Sequence, residues 1–391
     1  MAKNKPDLTT LKAETRLVVA AREYAEHGMV NPAVYHASTV LYPTVKSLRD
    51  ESQAYSYGRE GTPTSRAFET AIATLEGGHD AAVSPSGAAA ISTTLLAFLK
   101  TGDHLLMVDT TYHRTRKFCD GLLKGLGIET TYYDPLAGSD IAAHIRPNTR
   151  VVFCESPGSQ TMEVQDIPAI ADAAHKKGCL VFIDNTWSAG LYFNAFAHGC
   201  DVSIQAATKY IVGHSDTMLG VTTCSKEAWP QFKEAYLLMG QFAGPDDMYL
   251  ALRGLRTLDV RLERHHRNAM KLAEWLRGRS EVETVLYPAL SNDPGHRIWK
   301  RDFTGACGLF SVVLKPTSRE SVAAMLNGLN LFGMGFSWGG FESLVVPFKP
   351  HRTATSWTAT GPALRFHIGL ENPDDLIDDL KQGFERLKKT S

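Results

Sequence analysis

The sequence predicts an α/β protein: a mostly parallel seven-stranded sheet with helices on both faces, followed by a smaller α+β C-terminal domain. Three observations carry this. Between residues 65 and 225, apolar runs of strand length alternate with runs of helical character. The strand-like runs are apolar at nearly every position, as in strands covered on both faces. After residue 245 the alternation gives way to one long helical stretch, then to mixed strands and helices. With 391 residues the chain can form two or three packed units with large cores.

Taken in order, residues 1–60 are polar and irregular after a short amphipathic segment. SRAFETAIATLEGG (65–78) reads as a helix stopped by its glycine pair. DAAVSPSG (80–87) is a short strand running into a turn, and AAAISTTLLAFLKTG (88–102) a helix. HLLMVDTTY (104–112) is a strand ending at Tyr112, RKFCDGLLKGLG (116–127) a helix and IETTYYD (128–134) a strand. TRVVFCESPGS (149–159) is a strand, IPAIADAAHKKG (167–178) a helix and CLVFIDNTW (179–187) a strand. DVSIQAATKY (201–210) and LGVTTCS (219–225) complete the seven. A single long helix is expected over 246–278, with Glu263, His265 and His266 on a solvated or interface face. Beyond it, LFSVVL (309–314) and ALRFHIGL (363–370) are strands, while 318–329 and 374–387 are helices. The boundaries expected are 1–60 for an N-terminal segment, 61–255 for the large domain and 256–391 for the small one.

Composition removes several classes of function. The 41 basic and 42 acidic residues nearly cancel, which gives no electrostatic case for nucleic acid or an anionic membrane. No apolar run approaches a membrane span, and the N-terminus lacks the apolar core of a secretory signal. The six cysteines form no CxxC pair and suit no zinc ribbon, so they read as buried free thiols of a reducing, cytoplasmic compartment; no metal is expected.

Ligands of open parallel sheets bind at the carboxyl ends of the strands, and the chemistry-bearing residues fall there. Lys209 follows an apolar run; partial desolvation would lower its pKa and free the amine for imine formation. Alone, it reads first as an ordinary surface lysine at a strand end. Asp184 ends CLVFID, 25 residues earlier. Alone it is a helix cap or a hydrogen-bond acceptor. Together, an amine and a carboxylate on neighbouring strand ends suit pyridoxal 5′-phosphate, whose ring nitrogen needs an anion and whose aldehyde needs a lysine. Ser86-Gly87 opens a helix of small residues, a phosphate-binding arrangement or a plain cap. Tyr112 can stack on a ring or merely pack. Arg365, inside an apolar run, suits a substrate carboxylate or a structural ion pair.

Together these residues resemble the transsulfuration family of pyridoxal-phosphate enzymes. The lysine run DVSIQAATKYIVGHS (201–215) carries the resemblance, with YSYGREGTPT (55–64), SGAAA (86–90), ESPGS (155–159), IDNTW (183–187), SWGGFES (337–343) and RFHIGLE (365–371). It implies an aspartate-aminotransferase-type (fold type I) large domain. It also implies that Lys209 forms the Schiff base, Asp184 pairs with the pyridine nitrogen, and Tyr112 stacks on the ring and helps deprotonate the incoming amine. Gly87, Ala88 and Thr208 would hold the phosphate, joined by Tyr57 and Arg59 of a neighbouring subunit in a homotetramer of dimers. Arg365, Ser337 and Trp338 would meet the substrate. One departure is Ala206, where many members carry serine, so one phosphate contact is missing or supplied by backbone.

Trp338, Ser159, Phe336 and the YGREGTPT form resemble the β-lyase branch rather than the γ-class enzymes. The expected reaction is α,β-elimination of L-cystathionine to homocysteine, pyruvate and ammonia, a step toward methionine. The alternatives are a γ-lyase or γ-synthase on the same scaffold, or a non-catalytic regulator that keeps the fold.

Overall fold

The computed structural model describes residues 7–50 and 52–390. A seven-stranded sheet contains β1 (Asp80–Ser84), β2 (His104–Val108), β3 (Glu129–Tyr133), β4 (Thr149–Glu155), β5 (Leu180–Asp184), β6 (Val202–Gln205) and β7 (Gly220–Cys224). Their order is β1-β7-β6-β5-β4-β2-β3. Only β7 runs antiparallel to its neighbours, so the carboxyl ends of the other six share one edge.

Strand parity explains the continuous apolar runs. Leu105, Met107, Phe153 and Phe182 pack into one core, whereas Leu106, Val108, Val152 and Ile183 pack into the other. Side chains alternate between the faces of a strand, and helices cover both faces here. Each fully buried side chain of this size contributes about 1.5–3 kcal/mol. The covering helices include α3 (Pro63–Glu76), α4 (Gly87–Phe98), α5 (His113–Phe118) and α6 (Ile167–His175); before them come α1 (Ala13–Val19), which packs on α3, and α2 (Val45–Arg49), which buries no residue. A π-helical turn, Cys119–Leu123, extends α5. All six cysteines are buried free thiols.

A second sheet, antiparallel throughout, has β8 (Val282–Leu286), β9 (Leu309–Leu314), β10 (Leu344–Phe348) and β11 (Ala363–His367) in the order β10-β11-β9-β8. Helix α7 (Trp229–Leu238) packs against α4 and α8 (Pro245–Leu255) against α3 on the large-sheet half, while α9 (Leu258–Arg277), α10 (His296–Asp302), α11 (Arg319–Asn327) and α12 (Pro373–Thr390) follow with the small sheet. No helix among the described residues is long and apolar enough to cross a membrane.

Four expectations require correction. The long helix is broken: α8 ends at Leu255 and α9 begins at Leu258. Arg261 takes the Gly254 carbonyl at 2.7 Å, an acceptor a continuous helix would use for itself. His265 is buried rather than solvated, and its Nδ1 is 2.7 Å from the Ile368 carbonyl. It falls on the buried stripe of Leu258, Leu262, Ala269 and Leu272. Tyr112 does not end β2. The strand stops at Val108, because Asp109 turns aside to a buried pair with Arg116 at 2.7 Å and to the amides of Thr353, Ala354 and Thr355. Lys209 likewise lies beyond its strand, four residues after β6 ends at Gln205.

Candidate active site

The turn that carries Lys209 forms because the ladder loses its donor. The Ala206 amide donates to Thr186 Oγ1 at 2.9 Å instead of pairing onward. The chain then coils: the Lys209 amide bonds Ala206 O, and the Gly213 amide bonds Lys209 O. Arg261, buried on α9, pins the turn from below by donating to Tyr210 O at 2.6 Å and Ile211 O at 3.2 Å. This ordering residue was not singled out in the sequence; its only signal was a charge on an otherwise apolar helix stripe.

A cavity of about 380 Å³ opens at the shared strand edge. Its lining includes Gly87, Ala88, Tyr112, Asp184, Thr208 and Lys209 from the large sheet, and Trp338 and Arg365 from the small one. Ser337 joins them through its hydroxyl, which accepts a hydrogen bond from Lys209 Nζ at 2.9 Å. Burial lowers the Lys209 amine to about 8, Arg365 pushes it the same way, and Asp184 opposes. The amine is 5.2 Å from the Trp338 ring centroid. Gly339 makes this approach possible: its φ is +83°, and a Cβ there would meet the backbone of Lys209 and Tyr210 at 2.8 Å.

Asp184 ends β5, and burial raises its pKa, opposed by hydrogen bonds from the Thr186 hydroxyl and amide and by Lys209. Thr186 therefore touches both Asp184 and Ala206, joining the carboxylate to the lysine turn. Arg365, on β11, donates to Phe336 O at 2.9 Å and Ser337 O at 3.3 Å. The partner that an arginine in an apolar strand requires is thus a pair of loop carbonyls, leaving the rest of its fork for a ligand. Burial raises the Tyr112 phenol, and Arg114 opposes this.

At the α4 end, Ser86 caps the Ala89 amide at 3.1 Å and its carbonyl takes the Ala90 amide. The amides of Gly87 and Ala88, in the first turn, have no helical acceptor. A Cβ on Gly87 would lie 2.5 Å from the Ala206 Cβ, so only glycine lets this end approach the lysine turn. Thr208 spends its hydroxyl on Leu219, donating to the carbonyl at 3.1 Å and accepting from the amide at 2.9 Å. At position 206 no hydroxyl exists and the amide is already committed. Tyr57 and Arg59 are not brought to this cavity within the chain; Arg59 donates to Leu237 O at 3.1 Å.

Glu155 was quoted in the sequence only as part of ESPGS. It ends β4, pairs in register with Asp184 and lines the same cavity. Its Oε2 accepts the Tyr112 amide at 2.7 Å and the Thr111 hydroxyl at 3.2 Å. Among the described residues no cluster of ligands suits a metal ion.

Pyridoxal phosphate fits these residues. Gly87 and Ala88 offer free amides for a phosphate, Asp184 offers a buried carboxylate for a ring nitrogen, and Lys209 offers an amine of lowered pKa.

Comparison with known proteins agrees. The chain is 47% identical to a putative cystathionine beta-lyase of Rhizobium johnstonii over 363 residues, 92% of each chain. It is 45% identical to cystathionine beta-lyase MetC of Escherichia coli, over 96% of this chain and 99% of that one. Among solved structures it resembles cystathionine gamma synthase of Xanthomonas oryzae pv. oryzae, with a TM-score of 0.90, 30% identity and coverage of 97% and 100%. A family model described as "Cys/Met metabolism PLP-dependent enzyme" matches residues 14–385. The chain therefore belongs to the Cys/Met metabolism family of PLP-dependent enzymes.

Proposed function

We propose that this cavity catalyses the α,β-elimination of L-cystathionine to homocysteine, pyruvate and ammonia, with pyridoxal 5′-phosphate anchored on Lys209. The observation that carries the reading is the meeting of Lys209 and Asp184 from one sheet with Arg365 from the other around one cavity. The two relatives named above as beta-lyases are 47% and 45% identical, against 30% for the gamma synthase, which favours β-elimination.

When bound, the cofactor supplies an electron sink for the carbanion formed at Cα. Asp184, as an anion, keeps the ring nitrogen protonated. Gly87 and Ala88 hold the phosphate through their amides, with Thr208 beside them. Arg365 grips the substrate α-carboxylate and fixes the Cα–H bond for removal. Tyr112 stacks on the ring side and assists loss of a proton from the incoming amine. Lys209, freed from its anchoring role, takes the Cα proton, which its lowered pKa permits near neutral pH. Ser337 and Trp338 hold that amine in place between these tasks. As the Cβ–S bond breaks, its electron pair leaves with sulfur, and Lys209 protonates the thiolate. The remaining three-carbon enamine is hydrolysed to pyruvate and ammonia.

Tyr57 and Arg59 complete the phosphate site of a neighbouring copy, so the active form is a dimer at least, and a homotetramer of dimers in a cytoplasmic setting. Residues 1–60 contact that neighbour, 61–255 hold the cofactor, and 256–391 complete the substrate side.

Purified, cofactor-loaded protein given L-cystathionine should release pyruvate and homocysteine. Release of 2-oxobutyrate and cysteine would instead make it a γ-lyase, and no turnover of any thioether amino acid would make it a non-catalytic relative.

A further inference from the structure

We propose that Glu155 is a positioning residue that works as a neutral acid. In this role it ties Tyr112 to the strand beside Asp184 and leaves Asp184 as the one carboxylate anion of the site. The inference rests on the cofactor reading above.

The geometry is that of two carboxyl groups side by side. Glu155 and Asp184 are register partners on adjacent parallel strands, about 4.8 Å apart in backbone spacing. Register partners point to the same face, so the two groups compete for one small volume. Two anions so placed in a poorly solvated site repel, and one takes up a proton.

The surroundings decide which. Asp184 accepts two hydrogen bonds from Thr186 and feels the Lys209 cation. Among the described residues Glu155 has no ion pair; its side chain is met by the Tyr112 amide and the Thr111 hydroxyl. The titratable and charged groups that line the cavity with it are Asp184 from β5, the Tyr112 phenol from the loop after β2, Arg114 at the start of α5, and Lys209 and Arg365. Of these, Asp184 acts on it most directly. Burial and then Asp184 push the Glu155 carboxyl well above its ordinary range.

The hydrogen bonds fit a neutral acid as well. Both donors, the Tyr112 amide and the Thr111 hydroxyl, fall on Oε2. A carbonyl oxygen has two lone pairs and accepts both. Oε1 is then free to carry the proton, on a residue that lines the cavity. Gln165 fixes the position from behind by accepting the Glu155 amide at 3.0 Å. Removal of the side chain would orphan the amide of Tyr112, the residue assigned to the ring.

Amide substitution separates the two carboxyls. An amide approximates a neutral acid, with an acceptor oxygen and an N–H donor where the acid has its O–H, but cannot replace an anion. The measurements are titration of the apo protein with pyridoxal 5′-phosphate from pH 6 to 9, and the pH profile of kcat/KM for L-cystathionine. Glu155→Gln should keep cofactor affinity within about threefold and leave the pH profile in place. Asp184→Asn should lower affinity about a hundredfold. Glu155→Ala should lower it about tenfold and displace the Tyr112-dependent limb of the profile. If alanine prevents folding, the Gln and Asn variants decide by themselves.

The proposal is overturned if Glu155→Gln weakens the cofactor as severely as Asp184→Asn, since Glu155 would then be an anion. It is also overturned if Glu155→Ala matches the unaltered protein in affinity and profile. Cofactor binding without any turnover would sink the elimination reading but leave the titration able to judge Glu155. No cofactor binding at all would overturn both.

Discussion

On the large-sheet side of the cavity, polar groups are held by the backbone at strand ends. Asp184 is fixed by the Thr186 amide and hydroxyl, Glu155 by the Tyr112 amide, and the lysine turn by Arg261. On the small-sheet side, Arg365 is held by two carbonyls of the 336–337 loop, and Phe336 in that loop is 90% exposed. One side is a floor tied to the sheet and the other a wall hung on an exposed loop. A floor tied to a sheet can hold a cofactor through every turnover. A wall hung on an exposed loop can meet successive substrates.

The sharpest break in this division is Lys209→Ala. It should cut turnover about 10³–10⁴-fold and abolish the long-wavelength absorbance of lysine-bound cofactor, measured on the purified protein. Retention of both the band and the activity would remove Lys209 from the floor. Next in size, Arg365→Ala acts on the wall. It should raise KM about 30-fold or more while leaving the cofactor spectrum unchanged, because only the substrate loses its charged partner. A changed spectrum would show that the two sides are not separable.

Gly87→Ala tests the floor from another direction. The new Cβ meets Ala206 at 2.5 Å, and overpacking of this kind costs about 1–3 kcal/mol. Cofactor affinity should fall about tenfold, with KM for substrate unaltered at saturating cofactor; equal affinity in a direct titration would refute the close approach. The smallest effect concerns pH. Lys209 stands at about 8 in the fold against an ordinary 10.5, so between these values the unfolded chain binds more protons. Stability of the apo protein should rise as pH climbs from 8 to 10.5, by about 1–2 kcal/mol after solvent screening, with the penalty complete below 8. Lys209→Met should flatten that rise in melting temperature against pH.

The same contrast governs what could be read in advance. All seven strands of the large sheet were legible: the interior ones are largely apolar because both faces are covered, and the edge strand β3, ETTYY, is rich in threonine and tyrosine. The two strands overlooked in the small sheet, β8 and β10, are its edges. β8 has exposed Glu283 and Thr284, and β10 carries Pro347, which argues against a strand except at an edge. Helices α7 and α10 were also missed: few of their side chains are buried, Phe232 and Tyr236 in the first and Asp302 in the second. They carry little apolar periodicity.

Within the site, Lys209, Asp184, Tyr112, Gly87 and Arg365 each had an ordinary structural alternative when taken alone and were singled out only as a set, and the cavity gathers all five. The strand ends were placed too late. Ladder length depends on distant partners, such as Thr186, which accepts from the Ala206 amide, and the 353–355 loop, whose amides donate to Asp109. Those partners lie far away in sequence and leave no local trace.

The sequence by itself determined the alternation of elements, the buried thiols and the balanced charge, which follow from composition and local pattern, while the residues proposed to hold pyridoxal phosphate were assigned by their resemblance to a family. Only the tertiary structure decided that Glu155 stands beside Asp184, that Arg261 braces the lysine turn, and that Ser337 receives the Lys209 amine. Burial, register and proximity set the charge and orientation of these groups, and such properties belong to neighbours in space rather than in the chain.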